Sequence, residues 1–305
     1  MYADLGAQLK QAIATTHISY NCLELFDTGE SAWAAWDDPW FANPNYGYTA
    51  WVQAAPTSRT LVIAKDLVPT GISAAQPNWR QLGAQGAYDQ YIRAFATNLV
   101  AAGFAYSVIR LGPEMNGPWE SDWIGTTPTE QRQWALYFAR IVRIMRAIPG
   151  AHFLFDWNVN AGYQVIPLTN FYPGNQYVDI IGVDAYDESP ITLPPVGSAT
   201  RWTTLTTEPL GLDSITEFAI QHHKPLSLPE WGTLSTHGDD GNYVSHVGQF
   251  VDTHDVAYES YYDVNDENIL PLSAAAPETL AAYIAAFGPG SPVARYVHAF
   301  GVGKE

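Results

Sequence analysis

The sequence predicts a (β/α)8 barrel that occupies residues 1–305 as a single domain. Three observations favour this fold class. Strand-like and helix-like segments alternate almost to the C-terminus, and two strand segments are nearly continuously apolar, as expected where helices cover a parallel sheet. No glycine-rich phosphate loop follows any strand, so a barrel is favoured over an open doubly wound sheet.

The strands are predicted from runs of β-branched, aromatic and other apolar residues. Seven such runs lie at 17–27, 59–68, 104–112, 151–160, 177–187, 224–232 and 255–264. A barrel needs an eighth strand, and the segment from Tyr2 to Leu5 is the candidate that remains. We therefore expect the first strand to be either short or clipped because the chain was excised from a longer protein.

The helices are predicted from apolar residues at helical spacing and from capping signals. One helix occupies 86–103 and ends at Gly103. The best defined helix starts after Thr127, because Pro128 takes the first helical position and Glu130 completes a capping box. Three further helices are expected at 213–222, 242–253 and 277–288. The Pro/Ser/Thr-rich segment 189–209 is expected to form one long loop over the C-terminal ends of the strands.

The composition restricts the partners of this protein. Acidic residues outnumber basic residues by 31 to 14, and the resulting formal charge of −17 would repel nucleic acid and anionic membranes. The 11 tryptophans, 18 tyrosines and 12 phenylalanines offer more aromatic faces than a core needs, which suits a flat neutral ligand such as a sugar ring. The single Cys22 excludes an internal disulfide. No apolar run is long enough to span a bilayer.

Two glutamates follow or end apolar strands and have aromatic neighbours. Glu114 lies near Trp119, and Glu230 precedes Trp231. If Tyr2 to Leu5 is the first strand, the two carboxylates close the fourth and seventh strands. The C-terminal ends of barrel strands face a common mouth. Two carboxylates roughly 5 Å apart at such a mouth would be the arrangement of a retaining glycosidase.

The motif RLGPEMNGPW resembles the acid/base motif of glycoside hydrolase family 26. Members of this (β/α) barrel family include β-mannanases, β-1,3-xylanases and mixed-linkage glucanases. The resemblance extends through the stretches YDQYIRAFATNLVAAG, NFYPGNQYVDIIGVDAYD and KPLSLPEWG, and it covers roughly residues 84 to 264. Several motifs in the same order make this resemblance specific.

The resemblance implies a role for several residues. It makes Glu114 the acid/base and Glu230 the nucleophile. Tyr186 matches the tyrosine that touches the nucleophile, Arg110 matches the arginine on the acid/base strand, and Trp119 matches an aromatic residue of the binding cleft. A further group at strand ends and in the following loops is expected to contact substrate: Asn116, Trp123, Trp157, Trp231 and Tyr262. For Trp157, a buried barrel position is an equally good interpretation.

Two departures from the family pattern concern the sugar rather than the reaction. Pro113 stands where the commoner family pattern has histidine and related barrel enzymes have asparagine, and a proline side chain donates no hydrogen bond to a sugar. The stretch ESYYDVND also replaces the usual aromatic-Phe-Asn ending of the last strand. The sugar and the linkage therefore stay open at the sequence level.

The sequence thus predicts a retaining endo-β-glycosidase that hydrolyses a neutral, mannan-like or related β-glycan with two glutamates. The alternative is a catalytically silent glycan-binding or structural barrel module of a cell-surface or phage tail protein. No cofactor and no metal are expected. We expect a monomer or a domain of a larger protein, located outside the cell or on its surface, with a phage virion as a further option.

Overall fold

The computed structural model of the chain describes residues 5–163, 166–263 and 268–291. The strands within these residues form one sheet in the order β1-β2-β3-β4-β5-β6-β7. They are β1 (Cys22–Asp27), β2 (Thr60–Lys65), β3 (Val108–Leu111), β4 (Leu154–Asn160), β5 (Ile180–Tyr186), β6 (Leu226–Gly232) and β7 (Val256–Tyr261). All seven predicted strands are confirmed, with shorter ends. Because each strand pairs with its neighbours in sequence and helices intervene, the predicted barrel fold class is confirmed as well.

The helices in the described residues include all five that were predicted, as α6, α7, α9, α10 and α11. The set is α1 (Leu5–Thr16), α2 (Trp33–Trp36), α3 (Tyr48–Ala54), α4 (Thr70–Ala75), α5 (Trp79–Gln85), α6 (Asp89–Ala101), α7 (Pro128–Arg146), α8 (Arg201–Thr207), α9 (Leu212–His222), α10 (Gly241–Thr253) and α11 (Pro277–Phe287). In this part of the chain, no helix combines the length and hydropathy that crossing a membrane requires.

Two segments differ from the prediction. Most of the candidate first strand, Tyr2 to Leu5, lies outside the described residues, and Leu5 itself begins α1. The predicted long loop 189–209 is interrupted by α8. This short helix forms because Arg201 and Leu205, one helical turn apart, bury their side chains on the same side.

Backbone contacts divide the chain into two compact units. The Glu114 unit comprises Leu23–Val159 and Gln164–Ile181. The Glu230 unit comprises Met1–Cys22, Asn160–Tyr163 and Gly182–Glu305.

The Glu114 unit is built on parallel pairing of β2 with β3 and of β3 with β4. Helix α7 covers this sheet, and its predicted capping box at Thr127 and Glu130 is confirmed. Helix α5 packs closely on α7 because Gly83 lacks a side chain. A β-carbon at that position would lie 2.6 Å from the ring of Tyr137. The Tyr137 hydroxyl in turn donates to the carbonyl of Leu67 at 3.0 Å, which ties α7 to the segment after β2.

A buried ion pair holds the C-terminal ends of β1 and β2 together. The Lys65 ammonium donates to Asp27 Oδ2 at 2.8 Å and lies 4.5 Å from the ring centre of Trp36 and 4.8 Å from that of Phe95. Burial raises the pKa of Asp27 to about 7, although Lys65 opposes this shift. The lysine thus fixes α2 and α6 against the strand ends, because a buried ammonium needs both its counter-charge and aromatic faces.

The Glu230 unit has an aromatic core around Trp231. The β6 and β7 strands pair in parallel with two irregularities in register. The Trp231 indole contacts rings from β7, α10 and α11: Tyr261, Tyr243, Tyr283 and Phe287. Because Trp231 contacts rings of α10 and α11, the side of β6 that carries Trp231 is the helix-covered face of the sheet.

Glu259 lies beside this aromatic core. The Trp231 Nε1–H donates to Glu259 Oε2 at 2.8 Å, and the Tyr283 hydroxyl donates to Oε1 at 3.4 Å. Burial raises the pKa of Glu259 to about 7, and the two hydrogen bonds lower it in part. The folded protein therefore holds a proton on Glu259 at pH values where the unfolded chain has lost it.

This proton predicts a pH-dependent effect of Glu259→Gln. The proton stabilises the fold near pH 4.5, and that contribution is lost as the pH rises toward about 7. Glutamine keeps an acceptor for Trp231 without the charge. From pH 5 to pH 8, we expect the Tm of the variant to rise relative to wild type by about 5 °C. Thermal unfolding at both pH values measures this shift, and Glu217→Gln on the exposed face of α9 is the control. An equal pH dependence in all three proteins would contradict the assignment.

Candidate active site

Glu114 lies three residues after β3 in a tight turn. Its φ of +45° is in the left-handed region, which costs a residue other than glycine about 1–3 kcal/mol. The turn closes through a hydrogen bond from Gly117 N to Glu114 O at 2.7 Å. Glu114 N donates to Asn158 Oδ1 on β4 at 2.8 Å. This bond fixes the backbone of Glu114 against the neighbouring strand, so the side chain of Glu114 is held half-buried at the strand end.

The Trp119 indole is the aromatic neighbour of the Glu114 carboxylate. Its Nε1–H donates to Glu114 Oε2, and its side chain is 49% exposed. The ring lies directly over the α-carbon of Gly117, where any β-carbon would overlap it. Gly117 is therefore required for close packing of the indole, not only for the turn. The exposed part of the ring offers an apolar face beside a polar carboxylate.

Arg110 precedes Glu114 in the sequence and is wholly buried on β3. Its Nη1 forms an ion pair with Glu24 Oε1 on β1 at 2.9 Å, and its Nη2 donates to Asn158 Oδ1 at 2.9 Å. The same Asn158 oxygen accepts from the Glu114 backbone. Arg110 thus positions Asn158, and Asn158 positions Glu114.

Glu230 belongs to β6 and is held by two residues of β5. The Tyr186 hydroxyl donates to Glu230 Oε2 at 2.8 Å. Glu230 N donates to Asp184 Oδ1 at 3.1 Å, which fixes the backbone of Glu230 against β5. The Tyr186 ring meets that of Tyr262 edge-on, with ring centres 6.3 Å apart. The structure therefore brings three of the predicted residues together: Tyr186, Glu230 and Tyr262.

A pocket adjoins Tyr186 within the Glu230 unit. It is small, with a cavity volume of about 10 Å³, which is room for roughly one water molecule. Polar residues and one tryptophan are prominent in its lining: Asn160, Tyr163, Tyr186, Glu188, Trp202 and Glu208. Glu208 is buried and accepts a hydrogen bond from the Ser189 hydroxyl, and burial raises its pKa. We call this cavity the Tyr186 pocket.

Two predicted substrate contacts are instead core residues. Trp157 and Trp231 are fully buried. The Trp157 ring stacks on Phe171 at 5.1 Å between ring centres, and Trp231 packs against α10 and α11 as described above. Trp157 alternates along β4 with the buried polar residues Asp156 and Asn158, and Trp231 packs on helices beside Glu230, so the expectation that the two tryptophans contact substrate is corrected. For Trp157, the buried alternative was right.

Asn116 and Trp123 follow Glu114 but are placed differently from Trp119. Asn116 is fully buried, so it supports the turn rather than offering a surface to a ligand. The Trp123 side chain is half-buried, and its backbone carbonyl accepts a hydrogen bond from Arg80 Nε at 3.0 Å. Of the aromatic residues predicted near Glu114, Trp119 is thus the one with a large exposed face.

An acidic cluster in the Glu114 unit could hold a cation. Oxygens of Asp66, Glu120 and Asp122 lie within 4.8 Å of one another. Asp66 accepts from Gly29 N at 2.8 Å and Asp122 accepts from Leu67 N at 2.6 Å, so both carboxylates already serve the fold. Burial raises the pKa of Asp66 to about 6 and that of Asp122 well above its usual range. Such clusters also occur without an ion, and we assign no metal to this one.

Sequence reasoning missed Asn158 and Glu24. The signal was present in the alternation of FDWNVN, where Asp156, Asn158 and Asn160 are all buried on one face of β4. Polar side chains on a buried strand face need hydrogen-bond partners, and neighbouring strands supply them. Glu24 in the run NCLELFD is a similar signal, because a charged residue within an apolar strand needs a counter-charge.

Comparisons with known proteins show which family the chain resembles. A family model described as glycosyl hydrolase family 26 matches residues 92–199, which include Glu114 and Tyr186 but end before Glu230. Comparison with curated protein sequences finds no match. The resemblance of the chain to family 26 is confirmed, and the match supports a glycoside hydrolase.

The similar solved structures share the fold at low sequence identity. The mannanase BCman of Bacillus subtilis is 17% identical, with a TM-score of 0.59, over 84% of this chain and 75% of that chain. A modular endo-β-1,4-mannanase from Cellulomonas fimi is 17% identical, with a TM-score of 0.60, over 90% of this chain and 65% of that chain. A family 26 β-mannanase from Bacteroides ovatus is 13% identical, with a TM-score of 0.55, over 92% of this chain and 78% of that chain.

The shared Asn158 oxygen predicts a large cost for Asn158→Ala. The variant removes an acceptor from the buried Arg110 guanidinium and from the Glu114 amide, so we expect a loss of about 2–4 kcal/mol in the free energy of unfolding. Urea denaturation measures this loss. Asn170→Ala is the matched control, because the exposed Asn170 makes one side-chain bond in the same unit. Equal stability of the two variants would show that the Asn158 oxygen does not hold this turn.

Proposed function

We propose that the protein is a retaining endo-β-glycosidase that hydrolyses a neutral β-glycan of the mannan type, with Glu230 as nucleophile and Glu114 as acid/base. One observation carries the proposal: each of these carboxylates receives a hydrogen bond from an aromatic side chain beside it. Trp119 donates to Glu114, and Tyr186 donates to Glu230 at 2.8 Å. A structural glutamate on a solvated loop would have no need for such partners.

The surroundings of Glu230 support the role of a nucleophile. The hydrogen bond from Tyr186 to Glu230 Oε2 restricts the rotation of the carboxylate and so orients it for attack. The bond from Glu230 N to Asp184 fixes the backbone at the same point. Glu230 can then attack the anomeric carbon with one oxygen while the other stays bonded to Tyr186.

The surroundings of Glu114 support the role of a proton donor and acceptor. Its backbone is fixed by Asn158, and its carboxyl group lies against the indole of Trp119. In the proposed reaction, the proton of Glu114 passes to the glycosidic oxygen as the C–O bond breaks and Glu230 forms an ester with the sugar. Glu114 then takes a proton from water, whose oxygen displaces Glu230. The proton and both carboxylates are restored at the end of the cycle.

Three considerations support a neutral polysaccharide as substrate. The similar solved structures include mannanases, the formal charge of −17 disfavours anionic polymers, and Trp119 offers an exposed ring on which a sugar could stack. We propose an extracellular or cell-surface location for the same reason, since polysaccharides are found there. The rival function is a silent glycan-binding module. Release of reducing ends from β-mannan and a panel of other β-glycans distinguishes the two.

The acid/base role of Glu114 predicts a substrate-dependent loss in Glu114→Ala. Cleavage of mannan should fall by about 10²–10⁴-fold, because a sugar leaving group needs a proton. The rate of the glycosylation step with an aryl glycoside that has an activated leaving group should be nearly unchanged, because such a group leaves without a proton. Initial rates and the burst of released phenol measure the two effects. Glu230→Ala is the reference, because loss of the nucleophile should abolish turnover of both substrates. Equal losses on both substrates in Glu114→Ala would remove Glu114 from the acid/base role.

The double displacement predicts that the product keeps the β configuration. Two inversions at the anomeric carbon, the first by Glu230 and the second by water, give net retention. Proton NMR of a mannooligosaccharide digest in the first minutes, before mutarotation, should show the β anomer of the new reducing end. An α anomer as the first product would contradict a glycosyl-enzyme on Glu230.

A further inference from the structure

The C-terminal end of β5 is tied to helices on both sides of Tyr186. On the preceding residue, the Tyr243 hydroxyl of α10 donates to the carbonyl of Ala185 at 2.6 Å. On the following residue, Arg201 of α8 holds Asp187. Its Nε donates to Asp187 Oδ1 at 2.7 Å, and its Nη2 donates to the Asp187 carbonyl at 3.3 Å. Two helices thus fix the backbone before and after Tyr186.

The groups that form these two ties are buried. Tyr243, Arg201 and Asp187 are all withdrawn from solvent. Burial raises the pKa of Asp187, and the hydrogen bond and charge of Arg201 oppose this shift. A buried guanidinium and a buried carboxylate are tolerated as a pair, so breaking their contact is costly. The end of β5 is therefore held more firmly than a strand end that water can reach.

Asp240 connects the two ties. It caps the N-terminus of α10, where its Oδ1 accepts from the backbone N–H groups of Asn242 and Tyr243 at 3.1 and 3.0 Å. Its Oδ2 lies 3.9 Å from Arg201 Nε. One carboxylate thus relates the guanidinium of Arg201 to the helical turn that carries Tyr243. The two ties belong to one buried network.

This network reaches Glu230 through β5. The Asp187 N–H donates to the carbonyl of Gly232 on β6 at 3.2 Å, and the Tyr186 hydroxyl donates to Glu230 Oε2 at 2.8 Å. The adjoining Tyr186 pocket has room for roughly one water molecule, so the strand end has little space in which to move. A shift of the backbone at Asp187 would displace the Tyr186 hydroxyl from the carboxylate.

We propose that Tyr243 and Arg201 are positioning residues, which hold the Tyr186 hydroxyl on the carboxylate of Glu230 through the backbone on either side of Tyr186. This inference rests on the proposed function, because it takes Glu230 as the nucleophile that the Tyr186 hydroxyl orients. The two positioning residues act on the strand and not on the glycan. Misplacement of the hydroxyl should therefore slow the chemical step and leave glycan binding unchanged.

The first test is Tyr243→Phe, which removes one hydroxyl and keeps the ring. We expect kcat on β-1,4-mannohexaose to fall about five- to tenfold, with KM within twofold of wild type. Tyr283→Phe is the matched control and should keep kcat within twofold. Tyr283 is a buried tyrosine of the same unit, and its hydroxyl bonds the carboxyl group of Glu259 rather than a strand-end carbonyl. Equal kcat in the two variants, or a rise in KM in place of the fall in kcat, would overturn the proposal.

The same change in a Tyr186→Phe background shows whether Tyr243 acts through Tyr186. There, Tyr243→Phe should lower kcat by less than twofold, because the hydroxyl that it would misplace is already absent. A general structural role of Tyr243 would instead give the same five- to tenfold loss in both backgrounds. That result would overturn the proposal.

Arg201→Lys tests the second tie and keeps the positive charge beside Asp187. An ammonium group cannot bond the Asp187 carboxylate and carbonyl together in the fork geometry of a guanidinium. We expect kcat to fall about tenfold at unchanged KM, again only when Tyr186 is present. Arg140→Lys is the control and should keep kcat within twofold, because Arg140 forms a similar fork with Asp89 in the Glu114 unit. Equal losses in the two variants would remove Arg201 from the positioning role.

Urea denaturation separates this inference from the proposed function, because it needs no turnover. If Tyr243 holds Tyr186 in place, the loss in free energy of unfolding caused by Tyr186→Phe should be smaller in the Tyr243→Phe background than in wild type. If wild type cleaves no glycan but the two losses are smaller together than their sum, the positioning of Tyr186 stands and hydrolysis falls. If wild type cleaves mannan but the losses add, in kcat or in stability, hydrolysis stands and the positioning role falls.

Discussion

The charge of Arg110, wholly buried on β3, is the constraint on which the Glu114 unit depends. A buried guanidinium is tolerated only if a counter-charge and further acceptors satisfy it, and here Glu24 on β1 and Asn158 on β4 do so. These partners come from strands on both sides of β3. The need to satisfy the Arg110 guanidinium therefore sets both the register of the sheet and the placement of the site residues. A change at Glu24 or at Asn158 would affect the other residue through Arg110.

The Asn158 oxygen passes this constraint to Glu114. It accepts from Arg110 and from the Glu114 amide, and so holds a backbone conformation that a glutamate would avoid in isolation. In the Glu230 unit, the corresponding support comes from the polar side chains of β5, because Tyr186 and Asp184 bond the carboxylate and the amide of Glu230. In both units, the neighbouring strand fixes the glutamate more than its own loop does. This rigidity is what a reaction at a glycosidic bond requires of its acid and its nucleophile.

The aromatic residues divide between core and surface according to strand alternation. Trp157 and Trp231 lie on helix-covered faces and contribute packing, whereas Trp119 lies after its strand and keeps half of its surface exposed. A high tryptophan content is thus a weak guide to sugar binding.

The sequence alone determined the seven described strands, the capped helix α7 and the pairing of each glutamate with a strand end, because periodicity, capping and apolar runs act over short stretches of chain. It could also have indicated the polar face of β4, since FDWNVN alternates. Only the tertiary structure decided that Trp157 and Trp231 are buried, that α8 interrupts the segment after β5, and that one Asn158 oxygen serves both Arg110 and Glu114. These outcomes depend on which side chains of distant strands and helices meet, and a local sequence pattern does not contain that information.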